Sequence, residues 1–214
     1  GLSKKCAAFD IGLGCSGYVY GLSIMRGLML AEGLSCGVLA TVDAYSKIMD
    51  PKDKATAPLF GDAASATLLR VGGSARLGRT TFGTNGERHQ ALIVRGSGSR
   101  AEAFEPLFMD GRAIFNFMMT EVPTSVTRCL EINKLNVDDI DFFVFHQASK
   151  YMLTTLASRM RIPLDKVVID MRDIGNTTSS SIPVALQRRL LSKNQKNKKR
   201  LNILLSGFGV GLSW

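Results

Sequence analysis

Between two short strand-length runs lies a stretch of helix length, 16–32, whose apolar residues fall on nearly every face. Tyr18, Val19, Leu22, Ile24, Met25, Leu28, Met29 and Leu30 leave it no continuous polar stripe. A helix of that kind has to be covered all round rather than laid on a surface. The flanking runs, 5–11 (KCAAFDI) and 36–42 (CGVLATV), are rich in small and β-branched side chains and read as strands. The unit is therefore β-α-β, with its helix expected between two sheets.

The same alternation continues down the chain. Strands are predicted at 64–71 and 75–81, and the polar, glycine-bearing segment 83–100 reads as a loop and as the seam between two halves. Beyond it the pattern predicts a helix over 110–133, interrupted or kinked at Pro123. A strand at 141–145, a helix over 148–161 ended by Pro163, a strand at 167–170, a helix over 179–191 and a last strand at 201–206 follow. Strands alternating with helices argue for an α/β protein with mostly parallel sheets.

With 214 residues, 45% of them hydrophobic, the chain can bury a sizeable core, so disorder is not its expected state. No apolar run approaches the ~18–20 residues of a membrane span. The first residues lead into a strand-like stretch rather than a signal peptide, and a soluble cytoplasmic protein without membrane insertion is expected. Cys6, Cys15, Cys36 and Cys129 form no C-x-x-C pair and no metal-type spacing with His89 and His146, which points to reduced thiols and no metal. The formal charge of +9 would attract polyanions. Much of that excess sits in 193–200 (KNQKNKKR), which reads as a solvated basic turn. Basic residues are not interleaved with aromatics, so nucleic acid is not the expected partner.

Three polar groups stand at strand-to-helix junctions, where open α/β sheets place their ligands. Cys15 sits in Gly12-Leu13-Gly14-Cys15-Ser16-Gly17, after a strand and at the start of the apolar helix. There the macrodipole would stabilise thiolate and lower the thiol pKa from its usual ~8.5, although a buried structural cysteine is the competing account. His146 ends the strand in Phe145-His146-Gln147-Ala148, and a core histidine is its plain alternative. Asn176 opens the polar run Asn176-Thr177-Thr178-Ser179-Ser180-Ser181, where helix capping would equally explain the hydroxyls.

Taken together, the strings AFDIGLGCSGYVYGL, LFGDAASATLL, FHQAS, IGNTTSSSIPVAL and GFGVGLSW, in this order and over essentially the whole chain, resemble the type III beta-ketoacyl-acyl carrier protein synthases. The resemblance implies a thiolase-like five-layer αβαβα fold of two similar halves. Residues 1–82 would be the C-terminal part of an incomplete first half bearing the nucleophile, and 83–214 the second half with the histidine and asparagine. The helices after Cys15 and after Asn176 would form the central layer. It further implies that Cys15 takes an acyl group from an acyl-coenzyme A. His146 and Asn176 would then bind malonyl-acyl carrier protein and stabilise the enolate left by decarboxylation. The backbone N–H groups of Cys15 and Val210 would form the oxyanion hole. No tightly bound cofactor is implied, coenzyme A thioester being a substrate, and a homodimer is.

Departures from the family pattern bear on this reading. Val210 stands where the family usually has glycine, so either the turn takes ordinary φ there or the oxyanion hole is altered. Ser149 replaces an asparagine and Tyr151 a carrier-binding arginine, with Lys150 beside it, leaving Lys150, Arg188 and Arg189 as the expected carrier contacts. The family's chain also extends further at both ends, so a fragment is expected. Rival readings are a coenzyme A-dependent condensing enzyme of the polyketide or hydroxymethylglutaryl-coenzyme A type, and a non-catalytic acyl-carrier-binding fragment.

Overall fold

The computed structural model describes residues 3–97, 99, 103–191 and 200–214. The basic run 193–199 lies outside the described residues. Among those described, no helix is long and apolar enough to cross a membrane. The elements are α1 (Gly17–Ala31), β1 (Cys36–Asp43), β2 (Ala63–Arg70), β3 (Leu92–Ile93), β4 (Phe108–Met109), α2 (Gly111–Ile132), β5 (Phe142–Phe145), α3 (Lys150–Arg159), α4 (Ser181–Ala185) and β6 (Ile203–Ser206). A 3-10 turn, Thr178–Ser180, leads into α4, and a π-helical turn, Leu186–Leu191, continues it.

Alternation along β5 explains the layering. Phe143 and Phe145 are fully buried against α2 and α3, in a core that also holds Phe117, Met118, Val122, Leu153 and Leu156. Val144 points the other way, into a second core with Tyr18, Val19 and Leu22 of α1, Leu39 of β1, and Ile182 and Ala185 of α4. Each such side chain contributes about 1.5–3 kcal/mol relative to exposure, so a register slip by one residue would forfeit both cores. The described residues thus form four layers: the β1–β2 pair, the helices α1 and α4, the β5–β6 pair, and the helices α2 and α3. A fifth layer is not found among them, and the outer side chains Val38, Val42 and Leu68 of the β1–β2 pair are exposed.

Several sequence expectations need correction. Stretch 5–11 forms no strand and is exposed, because no neighbouring strand among the described residues takes up its N–H and C=O groups. Segment 75–81 is not a strand either. Its backbone is held by side chains instead: Asn133 Oδ1 accepts from the Arg79 N–H at 2.8 Å, Asn133 Nδ2 donates to Arg79 O at 2.9 Å, and Arg26 donates to Gly78 O at 2.7 Å. The stretch 167–170 shrinks to one parallel bridge, Phe143 to Val167. The mostly parallel expectation fails for β1 and β2, which pair antiparallel from Cys36↔Arg70 to Asp43↔Ala63, whereas β5 and β6 are parallel. No long helix occupies 44–62, so nothing forces a crossover there.

The helix α1 is covered where it faces the two strand pairs but not all round: Ile24 is 40% and Leu30 73% exposed. Within segment 83–100, residues 83–97 carry regular pairing. Gly83 and Trp214 exchange both backbone hydrogen bonds, at 2.8 and 2.9 Å, and β3 pairs with β4. Proline is tolerated inside α2 because the carbonyl it strands, four residues back at Met119, accepts from Arg159 Nε at 3.2 Å.

One backbone junction positions the site. The Asn176 N–H donates to Leu59 O at 2.8 Å and the Gly61 N–H to Asn176 O at 2.9 Å. A Cβ on Gly61 would lie 2.0 Å from Ile174 O, a clash with backbone that cannot rotate away. Gly61→Ala should therefore lose about 2–4 kcal/mol in urea unfolding. Gly27→Ala, in exposed α1 backbone with nothing within 4 Å of the new methyl, should gain about 0.5–1 kcal/mol.

Candidate functional site

Cys15 precedes the first turn of α1, and its thiol is 4% exposed. The 207–211 turn is pressed onto it. A Cβ on Gly209 would come within 2.7 Å of Cys15 Sγ, and one on Gly207 within 2.8 Å of Cys15 O, so glycine at both positions is what allows the approach. Ser16 Oγ and Ser213 Oγ hydrogen-bond at 2.8 Å, and Ser213 Oγ donates to Val210 O at 2.8 Å.

Val210 does not adopt positive φ; Gly211, at +137°, is the residue of this turn that does. The turn thus accepts valine without strain at that residue. Its side chain packs toward Gly14, where a Cβ would lie 2.7 Å from Val210 Cγ1. The backbones of Val210 and of Cys15 itself both act to favour the thiolate at this sulfur.

The expected fall in thiol pKa is reversed. Burial pushes Cys15 up to about 12, the Val210 N–H pulls it down, and the Asp43 carboxylate adds a further upward push. Desolvation of a fully enclosed sulfur outweighs the dipole of one helix end.

His146 ends β5 with its ring edge-on to Phe208, 5.5 Å between centroids. Its Nδ1 is 2.8 Å from Ser181 Oγ, which also accepts from the Gln147 N–H at 3.3 Å. That second bond uses a lone pair of the hydroxyl and favours Ser181 O–H donating to Nδ1, with the imidazole proton on Nε2. Burial drives the pKa of His146 down to about 4, against smaller upward pulls from the Thr178 backbone and Asp43. Next to it, Gln147 is a structural staple: Nε2 donates to Phe145 O and Val168 O, and Oε1 accepts from the Asp170 N–H at 2.7 Å.

Asn176 is buried, and its Oδ1 accepts from the Thr178 N–H at 2.9 Å. With the oxygen committed, the Nδ2 hydrogens remain as the group's outward donors. The following residues, Thr177 to Ser181, are all buried, and Thr178 holds φ +49°, an outlier for a β-branched residue. A Cβ on Gly17 would sit 3.7 Å from Ser179 Cβ, so this segment lies against the start of α1. Phe208, which meets the His146 ring, thus adjoins Gly209, which meets Cys15, while Ser179, three residues after Asn176, meets the start of α1.

Sequence reasoning missed three contributors. Asp43, the last residue of β1, accepts from the Ser179 N–H at 3.1 Å and from the Ser179 hydroxyl. Tyr45 stacks on Phe60 with centroids 5.0 Å apart and feels the charge of Cys15 and of Asp43, its phenol pushed up mainly by burial. Ser181, taken as a possible cap, is the partner of His146. The available signal was a carboxylate at the C-terminal end of an otherwise apolar strand, in the sequence Asp43-Ala44-Tyr45.

The expected carrier contacts look different. Arg188 Nε and Arg189 Nη2 each stand 3.1 Å from the buried carboxylate of Asp170, and Arg188 also reaches Asp173 at 2.9 Å. These arginines neutralise a carboxylate that is 2% exposed, a task within the fold. Lys150 lies in the first turn of α3 and makes no ion pair among the described residues. All four cysteines are free, and no cluster that could hold a metal ion occurs among the described residues.

Comparison with known proteins identifies relatives of the whole chain. Residues 9–86 match the family described as 3-Oxoacyl-[acyl-carrier-protein (ACP)] synthase III, and residues 130–214 match its C-terminal counterpart. The beta-ketoacyl-[acyl-carrier-protein] synthase III of Streptococcus gordonii is 34% identical over 218 residues, covering 99% of this chain and 67% of the relative. That of Pseudomonas aeruginosa is also 34% identical, covering 97% of this chain and 64% of the relative. A crystal structure of a 3-oxoacyl-(acyl-carrier-protein) synthase III superposes with a TM-score of 0.91 at 36% identity, over all of this chain and 68% of that one. The chain spans about two thirds of the length of these relatives, and the fold is of the thiolase type. It belongs to the beta-ketoacyl-[acyl-carrier-protein] synthase III family.

Proposed function

We propose that this chain provides the thiol and the enolate-binding groups for a decarboxylative condensation. An acyl-coenzyme A would acylate Cys15, and malonyl-acyl carrier protein would then extend the acyl group to a beta-ketoacyl product. The observation that carries this reading is the pressing of the 207–211 turn onto the thiol, where a Cβ on Gly209 would come within 2.7 Å of Sγ. The Val210 and Cys15 backbones favour the thiolate there. Two side-chain groups in the same neighbourhood have their inner atoms tied off, His146 by Ser181 and Asn176 by Thr178.

In the first step Sγ forms a bond to the acyl carbon, the carbon–sulfur bond to coenzyme A breaks, and the thiol proton is passed on to the departing sulfur. A thiol held near 12 does not ionise in advance at neutral pH, so the proton must leave as the bond forms. Nε2 of neutral His146 already carries its own proton, so the thiol proton passes to the departing sulfur directly or through solvent. In the second step the bond between the malonyl α-carbon and its carboxylate breaks, releasing carbon dioxide and leaving an enolate. Nε2–H and the Asn176 amide would donate to its oxygen, stabilising charge that exists only along the reaction path. The enolate carbon attacks the acyl carbonyl, whose oxygen the Val210 and Cys15 N–H groups would meet, and Sγ leaves and takes a proton from solvent.

The ordinary φ of Val210 supports turnover over a merely binding role, since the turn accepts valine at this position without strain. Lys150, with the exposed parts of Arg188 and Arg189, is proposed to meet the acidic carrier. No tightly bound cofactor is part of this reading. A homodimer in the cytoplasm, with its thiols reduced, completes the proposal.

Incubation with acetyl-coenzyme A should add one acetyl group to the chain, mapped to Cys15 by peptide mass spectrometry and lost in Cys15→Ala. Label spread over Cys6 and Cys36 would overturn the assignment. A second outcome concerns pH. The folded-state pKa of His146, about 4 against an ordinary 6.5, means the unfolded chain binds the extra proton between those values. Stability is thus lost as pH falls through 6.5 and stops falling once the native imidazole protonates near 4. Between pH 7 and pH 5 the parent should lose about 2 kcal/mol more than His146→Gln in urea titrations. Parallel curves for the two proteins would contradict it.

A further inference from the structure

Asp43 has no part in the chemistry proposed above, yet it stands at its centre. It closes β1, a strand whose other inward residues are Leu39 and Thr41. Among the described residues no lysine or arginine pairs with its carboxylate. Its hydrogen-bonding partner is Ser179, whose N–H and hydroxyl both donate to Oδ2. One strand position earlier the contact repeats in neutral form: Thr41 Oγ1 and Ser180 Oγ hydrogen-bond at 2.8 Å, and Ser180 also donates to Thr41 O at 3.1 Å. Two consecutive inward positions of β1 therefore grip two consecutive serines.

Those serines lie between the two residues that matter for the chemistry. Asn176 is three positions before Ser179, and Ser181, which holds His146 Nδ1, is two positions after it. The segment also carries a strained residue, Thr178 at φ +49°, and two buried hydroxyls without partners, those of Thr177 and Thr178. Strain of this kind, about 1–3 kcal/mol, persists only where the surroundings over-determine it. The hold from β1 supplies that constraint.

Resting on the proposed reaction, we infer that Asp43 is a positioning residue: its carboxylate ties the Asn176–Ser181 segment to β1, setting the His146 and Asn176 donors together while placing a negative charge beside the thiol. The two effects oppose each other. As a tether the carboxylate brings the enolate-binding donors into register. As a charge it disfavours thiolate at Cys15 and favours protonation of His146. The titratable groups that feel it are Cys15 at the start of α1, Tyr45 in the turn after β1, and His146 at the end of β5.

Three variants of the full chain separate tether from charge. Asp43→Asn keeps an acceptor and removes the charge, Asp43→Ala removes both, and Ser179→Ala keeps the charge and removes one donor. The first readout is alkylation of Cys15 by iodoacetamide against pH, followed on the Cys15 peptide. Asp43→Asn should move the midpoint to lower pH, making alkylation at a fixed pH below the midpoint about three- to tenfold faster, and Ser179→Ala should leave the midpoint where it is. The second readout is decarboxylation of malonyl-coenzyme A. Asp43→Ala should lower kcat by about tenfold or more with little change in KM, and Asp43→Asn should fall between it and the parent.

An unshifted alkylation midpoint in Asp43→Asn overturns the inference, as does parent-like decarboxylation in a folded Asp43→Ala. Where Asp43→Ala fails to fold, the isosteric Asp43→Asn carries both readouts. Absence of decarboxylation by the parent would sink the condensation reading itself, and the midpoints of Asp43→Asn and Ser179→Ala would still decide whether the carboxylate sets the charge felt by the thiol.

Discussion

The site depends on backbone being pressed against backbone at the start of α1. Gly207 and Gly209 bring the 207–211 turn so near Cys15 that a methyl at either position would collide with the cysteine's own atoms. Such an approach works only if both partners are rigid. The turn is closed by paired hydrogen bonds between Gly209 and Ser213, both at 3.0 Å, and by the exchange between Gly83 and Trp214. Tyr20 of α1 then donates to Gly83 O and Trp214 O, at 3.1 and 3.2 Å. The helix that carries the thiol and the turn that faces it are thereby fastened at two points, about one helical turn apart.

That enclosure explains why the thiol behaves against the simplest expectation. Helix position alone argues for a stabilised thiolate, and one backbone donor does pull in that direction. Removing the sulfur from water costs more than the dipole and the donors return. An enclosed thiol is protected from oxidation and stray alkylation, both of which need exposed thiolate. Reactivity then has to come from coupling proton loss to bond formation. Burial of His146 and burial of Cys15 are two consequences of one packing arrangement.

Much of this was legible in the sequence because it was written in local chemistry. The glycines around Cys15, the abrupt change from Phe145 to His146, and the polar run after Gly175 each mark a junction where chain direction and hydrogen bonding change at once. The paired cores on the two faces of β5 follow from its composition, since a strand buried on both faces is apolar throughout. What the sequence hid was relational. Asp43 looks like the polar end of a strand until Ser179, far along the chain, is seen donating to it. The KCAAFDI stretch has strand composition but finds no partner among the described residues, and 75–81 meets side chains of α1 and α2 before it meets another strand. Propensity describes what a segment can do, whereas hydrogen-bond partners decide what it does.

The segment from Asn176 to Ser181 shows how cost and function are joined. Six consecutive polar residues are buried there, an arrangement that water-loving groups accept only when their partners are supplied. Thr41, Asp43, Ala63, His146 and Gln147 supply most of them. Replacing the segment by apolar residues of similar size could well preserve a packed core, since the adjoining Ile182 and Ala185 are already fully buried. It would lose the fixed direction of two donors. The polar seam is thus better understood as a device for aiming hydrogen bonds than as a source of stability, and its strain at Thr178 is a local cost of that aim.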